Sequence, residues 1–335
     1  MLTKTFFTDG EGPIVCKDLA FDLMAKIQFE TRGRKFTGSK LFKIISEFDD
    51  WLVEKKKQNY QAGDTLALIV PHLLAHGINN TDINDEVKKT QIVRGADKLL
   101  ASLKRDDWQI RIISTAYRQM WNLVGRKLGV SQDNIACTEI NLENLRKKYV
   151  SNGLVNFVLQ KEKEIFAIKS KPEQFKLLDR FYFYELSKIG YDTLNIIRVI
   201  GAKTKITKAR EFTKQLNISL KDLIYVGDSI TDSKLFQFVN QKGGLSIAVN
   251  GNIFALNSAR VAVATTDMRT LKPILDAWIT GGWNQVKKII GKRSQKKNNV
   301  DYALVDTANS KEFDDLVQIH KKFRVQVRGQ AAGLS

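Results

Sequence analysis

The sequence predicts an α/β protein: a doubly wound parallel sheet with a mostly helical module inserted after its first strand. Short apolar runs that each end in small or polar residues supply the strands, and helical patterns between them supply the crossovers. A long helical stretch directly after the first run supplies the insertion. The runs are Thr5-Phe6-Phe7-Thr8 before Asp9, Ile110-Arg111-Ile112-Ile113 before Ser114, Leu223-Ile224-Tyr225-Val226 before Gly227-Asp228, and Ser246-Ile247-Ala248-Val249 before Asn250. Val261-Ala262-Val263-Ala264 is a fifth. Helical periodicity covers 94–103, 119–128, 208–216 and 233–240.

Residues 18 to about 92 read as a helical module, with Leu19, Leu23, Met24 and Ile27 on one face and Leu41, Ile44, Ile45 and Phe48 on another. The stretch 145–198 is extra length, either a smaller insertion or an enlarged crossover. It starts basic (Arg146, Lys147, Lys148) and then carries Phe175, Leu178, Phe181, Tyr182 and Leu186 as an apolar face. The segment 283–299 holds Lys287, Lys288, Lys292, Arg293, Lys296 and Lys297 and no acid. A last helix is expected from 310 to about 323, with Phe313, Leu316, Val317 and His320 at helical spacing. The expected division is therefore a core of 1–17 and 93–282, a helical module of 18–92, and a basic linker with a C-terminal helical extension over 283–335.

Composition narrows the function classes. The 335 residues are 43% apolar and 27% charged, which excludes a disordered or fibrous chain. Lys and Arg number 54 against 36 Asp and Glu, a formal charge of +18. Such an excess suits an acidic ligand, but it is spread along the chain and speaks to association, not to fold. Cys16 and Cys137 cannot build a disulfide framework, and with His72, His76 and His320 they do not make a zinc pattern. The absence of a run of about 18 apolar residues and of an apolar N-terminal segment points to a soluble chain in the reducing cytoplasm.

The chemistry-bearing residues gather at strand ends, where open α/β sheets place their sites. Asp9 and Glu11, two apart in Asp9-Gly10-Glu11-Gly12-Pro13, can face one cavity as nucleophile and general acid–base. Asp228 and Asp232 suit a hard cation such as Mg²⁺, which prefers oxygen ligands. Ser114-Thr115 can hold a phosphate oxygen, and Lys205 can neutralise both carboxylate and phosphate charge. Singly, each has a plainer reading: a turn, a helix cap, a solvated lysine.

Together, the order strand-Asp-x-acid, strand-Ser/Thr, Lys, strand-Gly-Asp-x-x-x-Asp closely resembles the haloacid dehalogenase-like superfamily, whose members are mostly Mg²⁺-dependent phosphohydrolases. The stretch from Lys205 to Asp228 resembles its phosphoserine phosphatases, and Asp-x-Glu-Gly-Pro also resembles an archaeal family named after energy-converting hydrogenase A, subunit R. The resemblance covers about 1–17 and 93–265. It implies Asp9 as nucleophile and Glu11 as acid–base, with Ser114, Thr115 and Lys205 on the phosphoryl group. It also implies Mg²⁺ held by Asp9, the Glu11 carbonyl and Asp228, supported by Asp232. The helical module then corresponds to a cap.

The departures are Glu11 where Asp is usual, Gly10 where an apolar residue is common, and Pro13 in place of Thr. Lys203 and Lys208 are rivals to Lys205, which the spacing favours. The expected activity is hydrolysis of a small phosphorylated metabolite. The alternatives are a catalytically silent subunit with a protein partner, and a nucleotide or nucleic-acid-end phosphatase using the basic tail. Arg32, Arg34 and Lys35 are further candidate anion contacts, though a solvated loop accounts for them. His72, His76, Trp51 and Trp108 read as packing residues.

Overall fold

A computed structural model of the chain describes residues 3–31, 34–150, 152–293, 300–305 and 308–333. Among these are nine strands: β1 (Thr5–Thr8), β2 (Gln28–Thr31), β3 (Arg34–Thr37), β4 (Gln109–Tyr117), β5 (Ile135–Thr138), β6 (Ile224–Gly227), β7 (Leu245–Val249), β8 (Val261–Thr265) and β9 (Val300–Leu304). Seven form one sheet in the order β5-β4-β1-β6-β7-β8-β9, parallel except for β9, which runs antiparallel to β8. All five strands expected from the sequence are present. Every residue of β1, β6, β7 and β8 is buried, the condition in which a parallel strand reads as a continuous apolar run.

Because successive strand residues point to opposite faces, each run feeds two cores. Phe6, Ile112, Ile224, Val226 and Ile247 join one apolar cluster, which continues without a break into the helices of the first insertion. Phe7, Ile113, Tyr225 and Ala248 join the other, under helices Ala202–Gln215 and Ile230–Gln241. β1 sits between β4 and β6, with Phe7 in register with Tyr225 and Thr8 with Val226. That pairing brings the C-terminal ends of β1 and β6, and so Asp9 and Asp228, side by side.

Residues 18–92 form helices Leu19–Ala25, Gly38–Glu54, Thr65–Ala75 and Asn80–Lys88, and also the β2–β3 hairpin, which apolar periodicity did not reveal. The extra length after 145 folds onto these helices. Phe48 packs on Phe175 and Tyr182, and Phe29 on Phe166. His72 is fully buried, bonded to Glu162 at 2.7 Å and Tyr182 at 2.8 Å, while His76 meets the other Glu162 oxygen at 2.8 Å. Trp108 is buried and Trp51 stacks on Phe48, so the tryptophans pack as expected, while His72 and His76 share the buried Glu162 carboxylate. Of the three candidate anion contacts of this module, Arg32 lies outside the described residues. Arg34 and Lys35 fall on β3.

The C-terminal part is bound into the sheet. β9 covers the β8 edge, from Val261 opposite Leu304 to Thr265 opposite Val300. Helix Ser310–Arg328 opens with a capping box in which Asn309 accepts from the Glu312 amide. Its buried residues, Leu316, His320 and Arg324, recur every four positions and form the stripe that faces the sheet. His320 Nδ1 accepts from the Gly251 amide at 2.9 Å.

Burial pushes the His320 pKa down to about 3. Below its ordinary value near 6.5 the unfolded chain takes up a proton that the folded chain refuses, so stability is lost as pH falls. Between pH 7 and pH 5 this group should account for about 2 kcal/mol of the loss. Thermal unfolding of the wild type against His320→Asn over that range checks it: the variant's pH dependence should be flatter, and an identical slope would remove His320 as the cause.

Candidate active site

β1 ends at Thr8, and the Asp9 amide donates to the Val226 carbonyl at 2.7 Å, which pins the Asp9 backbone to the neighbouring strand. One Asp9 carboxylate oxygen accepts from the Gly10 amide at 2.6 Å, and the other meets Lys205 Nζ at 2.9 Å. Lys205 is fully buried and reaches Asp232 at 2.7 Å and the Thr231 hydroxyl at 3.1 Å. The rivals point elsewhere: Lys203 donates to the Tyr60 carbonyl and Lys208 pairs with Glu211.

Asp232 is the N3 residue of helix Ile230–Gln241, in a capping box with Ser229. One of its oxygens accepts from the Asp228 and Ser229 amides at 2.9 and 3.0 Å, and the other from Tyr225 at 2.6 Å as well as from Lys205. Those bonds commit Asp232 to holding the loop and the lysine in place. Asp228 differs: its carboxylate carries Arg324 and, at 2.9 Å, Arg328, both from the C-terminal helix.

The cavity above Asp9 is lined by Glu11, Thr115, Asp228, Ser229, Thr231 and Arg328 from the core side, and by Asp18, Phe42, Ser46, Asp49, Gly63, Thr65 and Leu66 from the first insertion. Glu11 accepts from the Leu19 amide at 3.0 Å. Thr115 is on the wall, its hydroxyl donating to the Ile200 carbonyl at 3.0 Å. Ser114 is fully buried behind Gly10, accepts from the Ala116 amide at 3.2 Å, and does not line the cavity. The two hydroxyls of Ser114-Thr115 are thus separated by the strand's alternation, and Thr115 is the exposed one.

Burial and crowding of like charge set the electrostatics. Burial, then Asp232, raises the Asp9 pKa to about 7 against the opposing pull of Lys205. Burial, then Asp18, holds Glu11 well above the ordinary carboxylate range. Burial works against the Lys205 charge, but Asp232 and Asp9 outweigh it and raise its pKa. On the roof, Asp49 accepts from Tyr60, and burial lifts it to about 7.

Sequence reading missed Asp18, Asp49, Arg324 and Arg328. The arginines had a signal: they continue the four-residue stripe of Leu316 and His320 beyond 323, where the expected helix ended. Asp18 and Asp49 had none, because N-caps and helix-face acids are ordinary.

The donor set fits a hard divalent cation. Oxygens of Asp9, Asp228 and Asp232 lie within 4.8 Å of one another. Even with Glu11 protonated, Asp9, Asp18, Asp228 and Asp232 formally outnumber Lys205, Arg324 and Arg328, and a divalent ion would offset the excess. With Asp232 committed, Asp9 and Asp228 are the carboxylates that would hold it.

Solved structures share the fold that carries this site. The chain matches the Archaeoglobus fulgidus gene product AF1437 with a TM-score of 0.85 and 26% identity over 99% of both chains. It matches phosphoserine phosphatase as a phospho-aspartyl intermediate analogue with a TM-score of 0.52 and 15% identity, over 81% of this chain and 98% of that one. The fold is that of phosphoserine phosphatase, the α/β fold expected from the sequence. No family model and no curated protein sequence matches the chain.

Gly10, one of the departures from the motif that the sequence resembles, has a local cause. A Cβ on Gly10 would stand 1.9 Å from Trp121 Cζ2, so the indole occupies the space an apolar side chain would need. Gly12 has φ +94°, and its Cβ would lie 2.3 Å from an Asp228 oxygen. Both glycines let the loop close against its neighbours.

Removing Lys205 leaves two buried carboxylates facing each other. Lys205→Met should cost about 3–5 kcal/mol in urea denaturation, whereas Lys203→Met and Lys208→Met should stay within about 1 kcal/mol. Equal costs for the three would remove the special role of Lys205. Gly10→Ala should cost about 1–3 kcal/mol by overpacking, and a double-mutant cycle with Trp121→Phe should show coupling between the two sites.

Proposed function

We propose that this chain is a Mg²⁺-dependent phosphatase that hydrolyses a small phosphorylated metabolite through an aspartyl-phosphate on Asp9. The supporting observation is that Lys205 bonds Asp9 and Asp232 at the floor of a cavity whose wall carries Glu11, at the C-terminal ends of β1 and β6. A divalent ion held by Asp9, Asp228 and the Glu11 carbonyl, with Asp232 behind them, would supply charge neutralisation for the phosphoryl oxygens.

The chain's own residues do the rest. Asp9, oriented by the Gly10 amide and Lys205, attacks phosphorus as the ester P–O bond breaks. Glu11, held protonated by burial and by Asp18, gives its proton to the leaving oxygen. As a carboxylate it then takes a proton from water. That water attacks phosphorus, breaks the bond to Asp9, and returns Asp9 as a carboxylate with phosphate released. Thr115 faces the phosphoryl group from the wall, Lys205 holds Asp9 and lends its charge from behind it, and Ser114 supports the strand. Phosphoryl transfer needs such positioning and charge neutralisation more than elaborate covalent chemistry.

The helices of 18–92 act as the cap. Their residues Phe42, Ser46 and Asp49 roof the cavity and exclude water, and their opening admits substrate. Among the described residues no helix is long and apolar enough to cross a membrane, and Cys16 and Cys137 are free thiols, which supports placement in the cytoplasm. A second reading, a catalytically silent subunit, draws on one observation: Arg324 and Arg328 already occupy the Asp228 carboxylate.

Phosphate release from an aryl phosphate and a panel of phosphorylated metabolites, with Mg²⁺ or with EDTA, separates the two. Turnover should require the metal and fall at least 10³-fold in Asp9→Asn, which removes the nucleophile. No turnover by folded, Mg²⁺-binding wild type would favour the silent subunit.

A further inference from the structure

The C-terminal helix sends two arginines to one carboxylate, and their surroundings differ. Arg324 is 3% exposed and works as a clamp: besides Asp228 it donates to the carbonyls of Asp228 and Ala332 at 3.0 Å each. Arg328, 6% exposed at its side chain, bonds the Asp228 carboxylate at 2.9 Å, and its buried Nε finds no partner. Burial works against its charge, but Asp228, Asp18, Glu11 and Asp9 around it outweigh that. Among the described residues it is the only cation lining the reaction cavity. Together with Asp18 it also lines a second groove on the outer side, bounded by Lys17, Glu86 and Gln326, so its side chain stands as a wall between two open spaces.

We propose that Arg328 is an anion-binding residue of this site, exchanging the Asp228 carboxylate for the phosphoryl oxygens of the substrate. The inference rests on the phosphatase reading and extends it to a residue outside the motifs that carry the family resemblance. Three cations cannot share one carboxylate at low cost: a divalent ion taking Asp228 would sit within a few ångströms of both guanidiniums, where like charges repel strongly. Arg324 is anchored by backbone carbonyls and stays. Arg328 has no such anchor, has open space beside it and keeps an unbonded Nε–H, so it is the one that turns. The anion brought to Asp9 is the partner within reach, and a guanidinium can grip two phosphoryl oxygens at once. The C-terminal helix then completes the site, with Arg324 as the pivot that carries Arg328.

The test is binding of inorganic phosphate in the presence of Mg²⁺, measured by calorimetry on the full chain, beside Mn²⁺ binding followed by electron paramagnetic resonance. Arg328→Gln should weaken phosphate roughly 10–100-fold, the loss of a charge-assisted contact, and leave Mn²⁺ binding as tight as before or tighter. Arg328→Lys should recover part of the affinity. Phosphate affinity unchanged in folded Arg328→Gln overturns the proposal. So does a wild type that binds no phosphate, or a variant in which phosphate and Mn²⁺ affinity fall together, since the arginine would then act only through the carboxylate cluster.

If Arg328→Gln fails to fold, Arg328→Lys decides alone: a threefold or greater loss supports the bidentate contact, and wild-type affinity overturns it. Phosphate bound through Arg328 without turnover of any ester would refute the phosphatase and leave this contact standing. Turnover with unaltered phosphate affinity in the variant would do the reverse.

Discussion

The buried ion pair network of Lys205 with Asp9 and Asp232 is the constraint on which the rest of the site depends. One ammonium group with no exposure to water stands between two carboxylates at 2.9 and 2.7 Å. Burying charge this way is costly unless each group is fully bonded, and here it is. Asp232 takes two backbone amides and a tyrosine hydroxyl in addition, so the turn after β6, the start of the next helix and the end of β1 are all tied to one lysine. The network positions the Asp9 carboxylate at the same time as it positions the loop that carries Asp228.

Around that centre the two glycines show how tightly the loop after β1 is fitted. Trp121 takes the volume next to Gly10, and Asp228 takes the volume next to Gly12. A motif departure that looks like a loss of conservative chemistry is therefore a local exchange of bulk: the apolar group sits on the neighbouring helix Arg118–Leu128 and not on the loop. The roof is built the same way, by a helix whose apolar residues belong to a core shared with the sheet while Ser46 and Asp49 are left facing the cavity.

The C-terminal helix changes how the site is read. Its stripe of Leu316, His320 and Arg324 passes from apolar packing to a buried charge without a break in periodicity. The edge strand β9 and the Asn309 cap bring that helix back across the sheet, and the last two turns end over Asp228. Five carboxylates and three bases then share one buried region, so burial raises the proton affinity of Asp9, Glu11 and Asp18 together, and like charge adds to it at Asp9 and Glu11.

Much of this was legible in the order of residues. Runs such as Leu223–Val226 must be buried strands because nothing else accommodates continuous apolar residues ending in Gly-Asp, and strand ends are where open sheets place their polar groups. Lys205 could be preferred over Lys203 and Lys208 by its spacing from Asp228, which leaves room for one helix and one strand; its burial between two carboxylates could not be read there. Three things were beyond local pattern. The β2–β3 hairpin pairs Phe29 with Phe36 in strands only four residues long. β9 follows a basic run and gains its identity only from the β8 edge it covers. Arg324 and Arg328 meet Asp228 across about a hundred residues of chain. The sequence by itself determined the five parallel strands β1, β4, β6, β7 and β8 and the polar residues at their ends, since those follow from periodicity and residue type; β5 and β9 complete the sheet only in the fold. Only the tertiary structure decided which hydroxyl faces the cavity, which lysine is buried and which cations answer Asp228, because charge pairing across a fold depends on distance in space, and local sequence carries no record of it.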